Sequence, residues 1–371
     1  MNRNVLEFAR TGLLSAVVTT SVLLPARILQ QRHATPVALP AQSEKLHVEA
    51  IGPLELTATM GIAVNDKNEV VGTAFGEDEV RAFIVSNGKG VLLPLPKGVP
   101  YSMATGINEK GEAVGIGGTE ESVRGMVWSG NKAGVLTSGK RDTFATTISS
   151  KSIAAGVAFD NQQRGRFSPH LAMSAAEFQS LLPRIQDNGF SGMLWSKPGD
   201  GKGIGEFVPQ AGSASGTLVG LTIQKDQVVP AAFKDGKIGV LPQAKGFQMT
   251  IPMAANDKDV FVGAGVDSER QVKPVGWANG KMGILPVPGG KQGLALGINS
   301  QNQVVGVIEA ANGEGHAAVW LKGKVIDLND LIEKREGWTL VEARGINNKG
   351  FIIGTGIKDG HVGALLVGPI R

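Results

Sequence analysis

Residues 297–306, GINSQNQVVG, carry a pattern that recurs six more times along the chain. An Asn or Ser is followed three residues later by Gly, Asn, Asp or Ser, and seven residues later by Gly. The copies begin at Asn65, Asn108, Ser149, Ser213, Asn256, Asn299 and Asn347 and close at Gly72, Gly115, Gly156, Gly220, Gly263, Gly306 and Gly354. The residue before each glycine is apolar: Val71, Val114, Ala155, Val219, Val262, Val305 and Ile353. Spacing is 43 residues from Asn65 to Asn108, from Ser213 to Asn256 and from Asn256 to Asn299. Four strands of about five or six residues with short turns fill that length, which is the period of a propeller blade.

Within each unit an apolar first strand leads into a tight turn and a second strand such as Val70-Val71-Gly72. The fourth residue of that turn must take positive φ, which Gly, Asn and Asp tolerate. Asn68, Gly111, Gly216, Asp259, Asn302 and Gly350 meet the demand, and Ser152 is the weak copy. A third strand ends at an apolar position in every copy: Val85, Trp128, Trp195, Phe233, Trp277, Trp320 and Leu365. Large apolar side chains at one register pack between neighbouring blades. A second hairpin, marked by Asn87-Gly88, Asp235-Gly236, Asn279-Gly280 and Lys322-Gly323, introduces a fourth strand.

The last copy stops at its third strand, 364–367, while residues 46–51 form a spare strand ahead of the first copy. Pairing the two closes a ring and removes exposed edges. The expected fold is therefore all-β: a seven-bladed β-propeller of four-stranded repeats of about 43 residues, closed by strands from both termini. An open β-solenoid is the alternative, for which 43-residue repeats are long.

Gly-Ile-Asn at 106–108, 297–299 and 345–347, the Val-Gly pairs closing second strands, His316-Ala317 through Trp320, and the run Asp327-Leu-Asn-Asp-Leu-Ile332 resemble the HAF family of bacterial extracellular repeats. The resemblance covers about residues 46–369. It implies an exported protein and carries no defined activity. The histidine for which that family is named stands at His316 and His361 but is replaced by Arg81, Arg124, Ser191, Val229 and Lys273.

The first residues read separately. Arg3 and Arg10 precede an apolar stretch from Gly12 to Ala26, and a Pro/Ala-rich linker follows through Pro36, Pro40 and Ala41. That is the form of a secretory signal, with cleavage expected after Ala26 or Ala41. Its alternatives are a buried helix or an uncleaved anchor, although the stretch is short of the roughly 20 residues that span a bilayer. Residues 1–41 are assigned as leader and linker and 42–371 as the repeat domain, with an insertion at about 157–190. Localisation is expected to be periplasmic or extracellular, with membrane contact only through an uncleaved leader. Of the formal net charge of +4, Arg3, Arg10, Arg27 and Arg32 against Glu7 place three in the leader. The body is near neutral and gives no nucleic-acid footprint. With no cysteine, disulfides, thiolate zinc and Fe–S clusters are excluded. Fifty-two glycines and 5% aromatic residues favour short strands and tight turns.

Two sets of candidate ligand-binding residues emerge. Third strands begin at Arg81, Arg124, Lys273, His316 and His361, and a common rim would bring these groups around an axial mouth suited to an anion. The third copy carries an insertion of about 26 residues holding Arg164, Arg166 and His170, then a capping box from Ser174 to Glu177. Phe178, Leu181, Leu182 and Ile185 follow at one-face helical spacing, with Pro183 ending the helix early. Such an insertion serves either as a lid over the propeller or as a ligand-contacting loop. No catalytic motif emerges. Ser86-Asn-Gly-Lys89 has Ser-x-x-Lys spacing but falls in a hairpin, Gly212–Gly216 has Ala at the nucleophile position, and the five histidines have no metal-ligand spacing. No cofactor and no metal are expected.

These features point to an exported binding or interaction module at the cell envelope, its ligand an anionic small molecule, a glycan or an envelope protein. The rivals are a propeller enzyme acting on glycans with carboxylates at the axial mouth, and a structural envelope or matrix component.

Overall fold

The computed structural model describes residues 46–53, 56–119, 122–160, 189–332 and 336–370. These form seven four-stranded antiparallel sheets. Blades one to six occupy residues 58–92, 101–136, 142–205, 207–240, 247–284 and 293–327. The seventh combines three strands at 339–368 with His47–Ile51, which pairs antiparallel with His361–Gly368 as its outermost strand. Both chain ends thus share one blade, and the ring closes as the spare strand required. Leu46 extends the closure by bridging to Ile332.

Local chemistry sets the blade. All seven turn positions have positive φ, from 55° at Asp259 to 100° at Gly216, and Ser152 conforms at 62°. The second hairpins at 87–88, 235–236, 279–280 and 322–323 take positive φ at both central residues, as at Asn87 (53°) and Gly88 (73°), which matches the right-handed twist of the flanking strands. The apolar residues before the closing glycines on the second strands are buried; Val71, Val114, Val219, Val305 and Ile353 have no exposed surface. The tryptophans ending third strands are stitched to the preceding blade. Trp128, Trp195, Trp277 and Trp320 donate their indole N–H to the carbonyls of Pro94, Thr137, Pro242 and Pro286 at 2.7–2.9 Å. Each indole therefore buries its ring between blades while satisfying its one donor.

One short helix, Leu328–Leu331, follows blade six. Asp327 caps it by accepting from the Asn329 N–H at 2.9 Å, and Asn329 then exchanges two hydrogen bonds with the backbone of Leu340 in blade seven. This segment, with Leu46, Leu331 and Ile332, seals the core where the ring closes. The helix expected at 174–185 lies outside the described residues. No described helix is long and apolar enough to cross a membrane.

Candidate functional site

Blades one to six run in chain order from first strand to last, the seventh does so for its three strands at 339–368, and the first of these strands in all seven blades line one axial cavity of about 250 Å³. The first strand is therefore innermost. Every innermost strand carries a β-bulge three residues before its turn residue, at Ile62, Thr105, Thr146, Gln210, Met253, Leu296 and Arg344. A bulge leaves one residue unpaired and re-aims its side chain. All seven of these residues line the axial cavity, so the ring forms from equivalent positions.

The bulge also explains the closing glycine. A Cβ on the partner strand there would lie between 1.8 Å (Gly156) and 2.2 Å (Gly354) from the carbonyl oxygen of the innermost strand two residues before the bulge. These glycines have ordinary negative φ, so close approach rather than conformational freedom excludes a side chain.

Around the ring, Thr105 donates its hydroxyl to the Ala145 carbonyl of the next blade at 2.8 Å, and Thr146 donates to Ala155 at 3.2 Å. Arg344 forms an ion pair with the buried Glu342 at 2.9 Å. Gln210 is 9% exposed and has no hydrogen-bond partner among the described residues. At the turn end Glu109 lines the cavity and accepts from the Asp66 N–H at 3.1 Å. Burial pushes its carboxyl above the ordinary carboxylate range, with the Asp66 charge adding and the Asp66 N–H opposing.

A second ring surrounds the cavity mouth. In each Asn copy the turn Asn accepts from the N–H groups two and four residues on, as Asn299 does from Gln301 (3.1 Å) and Gln303 (3.0 Å). Its amide then donates to the carbonyl of the equivalent residue in the next blade. The links run from Asn65 to Asn108, Asn108 to Ser149, Asn256 to Asn299, Asn299 to Asn347 and Asn347 back to Asn65, at 2.8–3.0 Å. Ser149 and Ser213 have no amide with which to continue it.

The basic set expected from sequence stands elsewhere. Arg81, Arg124, Lys273, His316 and His361 all lie on third strands, two strands out from the axis, and do not converge on its mouth. Four of them hold local partners. Arg81 donates to the Leu93 carbonyl at 2.8 Å, Arg124 pairs with the buried Asp142 at 2.7 Å, and Lys273 donates to Gly290 and Lys291 carbonyls. His316 meets Asp327 at 2.5 Å through Nδ1, while His361 is exposed beside a hairpin. Arg164, Arg166 and His170 lie outside the described residues. What the structure does show is the insertion's base: Arg141 forms an ion pair with Asp160 at 3.3 Å and donates to the carbonyls of Ala158 and Gly189. Among the described residues no group of three or more His, Cys, Asp or Glu is placed to hold a metal ion.

No family model and no curated protein matches the chain. Solved structures do. The β-propeller domain of the Trilobed protease from Pyrococcus furiosus, described as having an open velcro topology, is 8% identical with a TM-score of 0.55 over 84% of this chain and 93% of that one. An oligogalacturonate lyase in complex with manganese is 9% identical, TM-score 0.54, over 88% and 91%. The Pyrococcus horikoshii acylaminoacyl peptidase is 10% identical, TM-score 0.55, over 86% of this chain, which spans about half (53%) of the peptidase. At these identities the likeness defines the class: an all-β, seven-bladed propeller.

Proposed function

We propose that the chain is an exported binding or interaction module, of the HAF-repeat kind, that holds its ligand in the axial channel. One observation carries the reading. The seven bulge positions are equivalent in backbone and all line the channel, yet they present Ile, Thr, Thr, Gln, Met, Leu and Arg, whereas the residues on either side are small: Gly, Ala or Pro before and Gly, Ala or Thr after. A merely structural plug needs only volume there. A binding site needs placed polar groups among apolar ones.

Export rests on the charged, then apolar, then Pro/Ala-rich order of residues 1–41. The insertion at about 157–190 is taken, on its sequence alone, as a helical addition to blade three. The glycan-hydrolysing alternative asks for two carboxylates flanking a scissile bond. The channel lining includes one, Glu109, already held by a backbone N–H. A ligand that binds only the folded state at a hundred times its Kd raises stability by about 2.7 kcal/mol. Thermal-shift screening of the full chain against neutral sugars, uronates, phosphorylated metabolites and peptides should therefore yield one class that raises the melting temperature. If no class does, the structural-component reading takes its place.

A further inference from the structure

The channel's chemistry narrows the ligand further, on the premise that the channel is the binding site. Its ring divides into two arcs. Blades two, three and four contribute Thr105, Thr146 and Gln210; blades five, six, seven and one contribute Met253, Leu296, Arg344 and Ile62, with Arg344 paired to Glu342. The polar arc is biased in what it offers. Thr105 and Thr146 commit their protons to the carbonyls of Ala145 and Ala155, so each hydroxyl is left to accept. Gln210 adds two donors and one acceptor on a carboxamide that opens onto the channel and has no partner among the described residues. Its amide atoms are open to the channel, so both ends are available to a ligand or water.

Charge narrows the class again. The Arg344 guanidinium is matched by Glu342, and Glu109 stands at the turn end of the lining. The channel therefore carries no surplus positive charge with which to draw an anion.

We propose that this channel binds a neutral polyhydroxylated ligand, one hexose unit in size, with its hydroxyl edge on Thr105, Thr146 and Gln210 and its C–H face on Met253, Leu296 and Ile62. Every hydroxyl of a polyol both donates and accepts, so it meets the accepting threonines and the two-sided amide together. A carboxylate only accepts and would face the threonine oxygens and Glu109. A peptide carries a single N–H per residue and cannot supply adjacent donors to the arc. The cavity, about 250 Å³, lies near the lower end of about 300 Å³ for small-ligand sites, a size that suits one pyranose ring.

The test is calorimetric titration of the full chain with methyl α-glucoside, methyl α-galactoside and methyl α-mannoside, with galacturonate and a blocked dipeptide as competitors for the assignment. At least one methyl hexoside should bind, and Gln210→Ala should weaken it about ten-fold, the scale of one lost buried hydrogen bond. Thr105→Val should weaken it in the same direction, and Arg81→Ala, at a third strand, should not. If Gln210→Ala fails to fold by circular dichroism, Gln210→Met, which keeps the volume, gives the same reading. Binding of none of the three hexosides overturns the proposal, as does hexoside binding that survives loss of the Gln210 amide. Galacturonate or dipeptide binding that depends on Gln210 would keep the channel as the site while overturning the neutral-polyol assignment.

Discussion

Five of the seven blade junctions are clasped by an Asn side chain, and the two that follow blades three and four are not. From blade five through seven to blade two, every turn Asn locks its own hairpin and reaches the next. At Ser149 and Ser213 the hydroxyl holds the local turn, donating or accepting at 2.8–3.3 Å, but spans no junction. Between blades three and four the turn-level bond is backbone to backbone, from the Ser150 N–H to the Ala214 carbonyl at 3.0 Å. Between four and five the Ser215 N–H donates to Asp257 at 2.8 Å. Both sectors keep the same bulge and the same closing glycine. Blade geometry and ring cohesion are thus separate devices, and only the second has been relaxed, in the sector that also bears the insertion and Gln210.

The largest effects should ignore that division. A Cβ at Gly263 would sit 1.9 Å from the Ile251 carbonyl, and one at Gly156 would sit 1.8 Å from that of Phe144. Neither obstacle is a side chain that can swing away. Gly263→Ala and Gly156→Ala should each cost about 3 kcal/mol or more, the upper end for overpacking against backbone. Chemical denaturation checks this; a tolerated Gly156→Ala beside a crippling Gly263→Ala would show that the sectors differ in blade geometry after all.

Intermediate effects should expose the division. Asn299→Ser removes the bond to the Asn347 carbonyl, which then accepts from the Gly350 N–H alone, a loss of about 1 kcal/mol. Ser213→Asn should do the reverse, because its amide then reaches for the Asn256 carbonyl as its counterparts do, gaining about 1 kcal/mol. Denaturation midpoints moving in opposite directions are the expected outcome. Loss of stability in both variants would mean that the serine sector is built around its serines rather than short of two clasps.

How much of this is legible in the sequence follows from the range of each interaction. The turn demand at Asn68 and the hairpin at Asn87-Gly88 are local backbone requirements, so residue type alone revealed them. Closure by His47–Ile51 followed from a missing fourth strand at the other terminus. The equivalence of Asn and Ser at the turn start was misleading, because their shared local role hides an amide that crosses 43 residues to another blade. The placement of Arg81, Arg124, Lys273, His316 and His361 at an axial mouth failed for a topological reason: periodicity gives the order of strands but not which one faces the axis. Ile62, Thr105, Thr146, Gln210, Met253, Leu296 and Arg344 were missed altogether. Their one sequence signal is variability three residues before the turn, and only the bulge turns that variability toward a common space.

The smallest expected effect lies at the mouth, where Glu109 of the clasped sector and Ser150 of the other occupy equivalent positions. Glu109 accepts the Asp66 N–H, yet partial burial raises its pKa in the folded state above the ordinary carboxylate value of 4.5. The folded protein therefore holds that proton more tightly than the unfolded chain does. Ionised Glu109 carries its cost in full above the folded pKa, and acidification through that value toward 4.5 removes it. Glu109→Gln keeps an oxygen for the Asp66 N–H and never ionises. It should raise stability at neutral pH by less than about 0.5 kcal/mol, within the ordinary range for surface changes. The gap between variant and parent should close as the pH falls through the raised pKa of Glu109. Melting temperatures taken across that range decide the point: a gap that widens on acidification would mean that Glu109, far from being tolerated at the rim, helps hold blades one and two together through its charge.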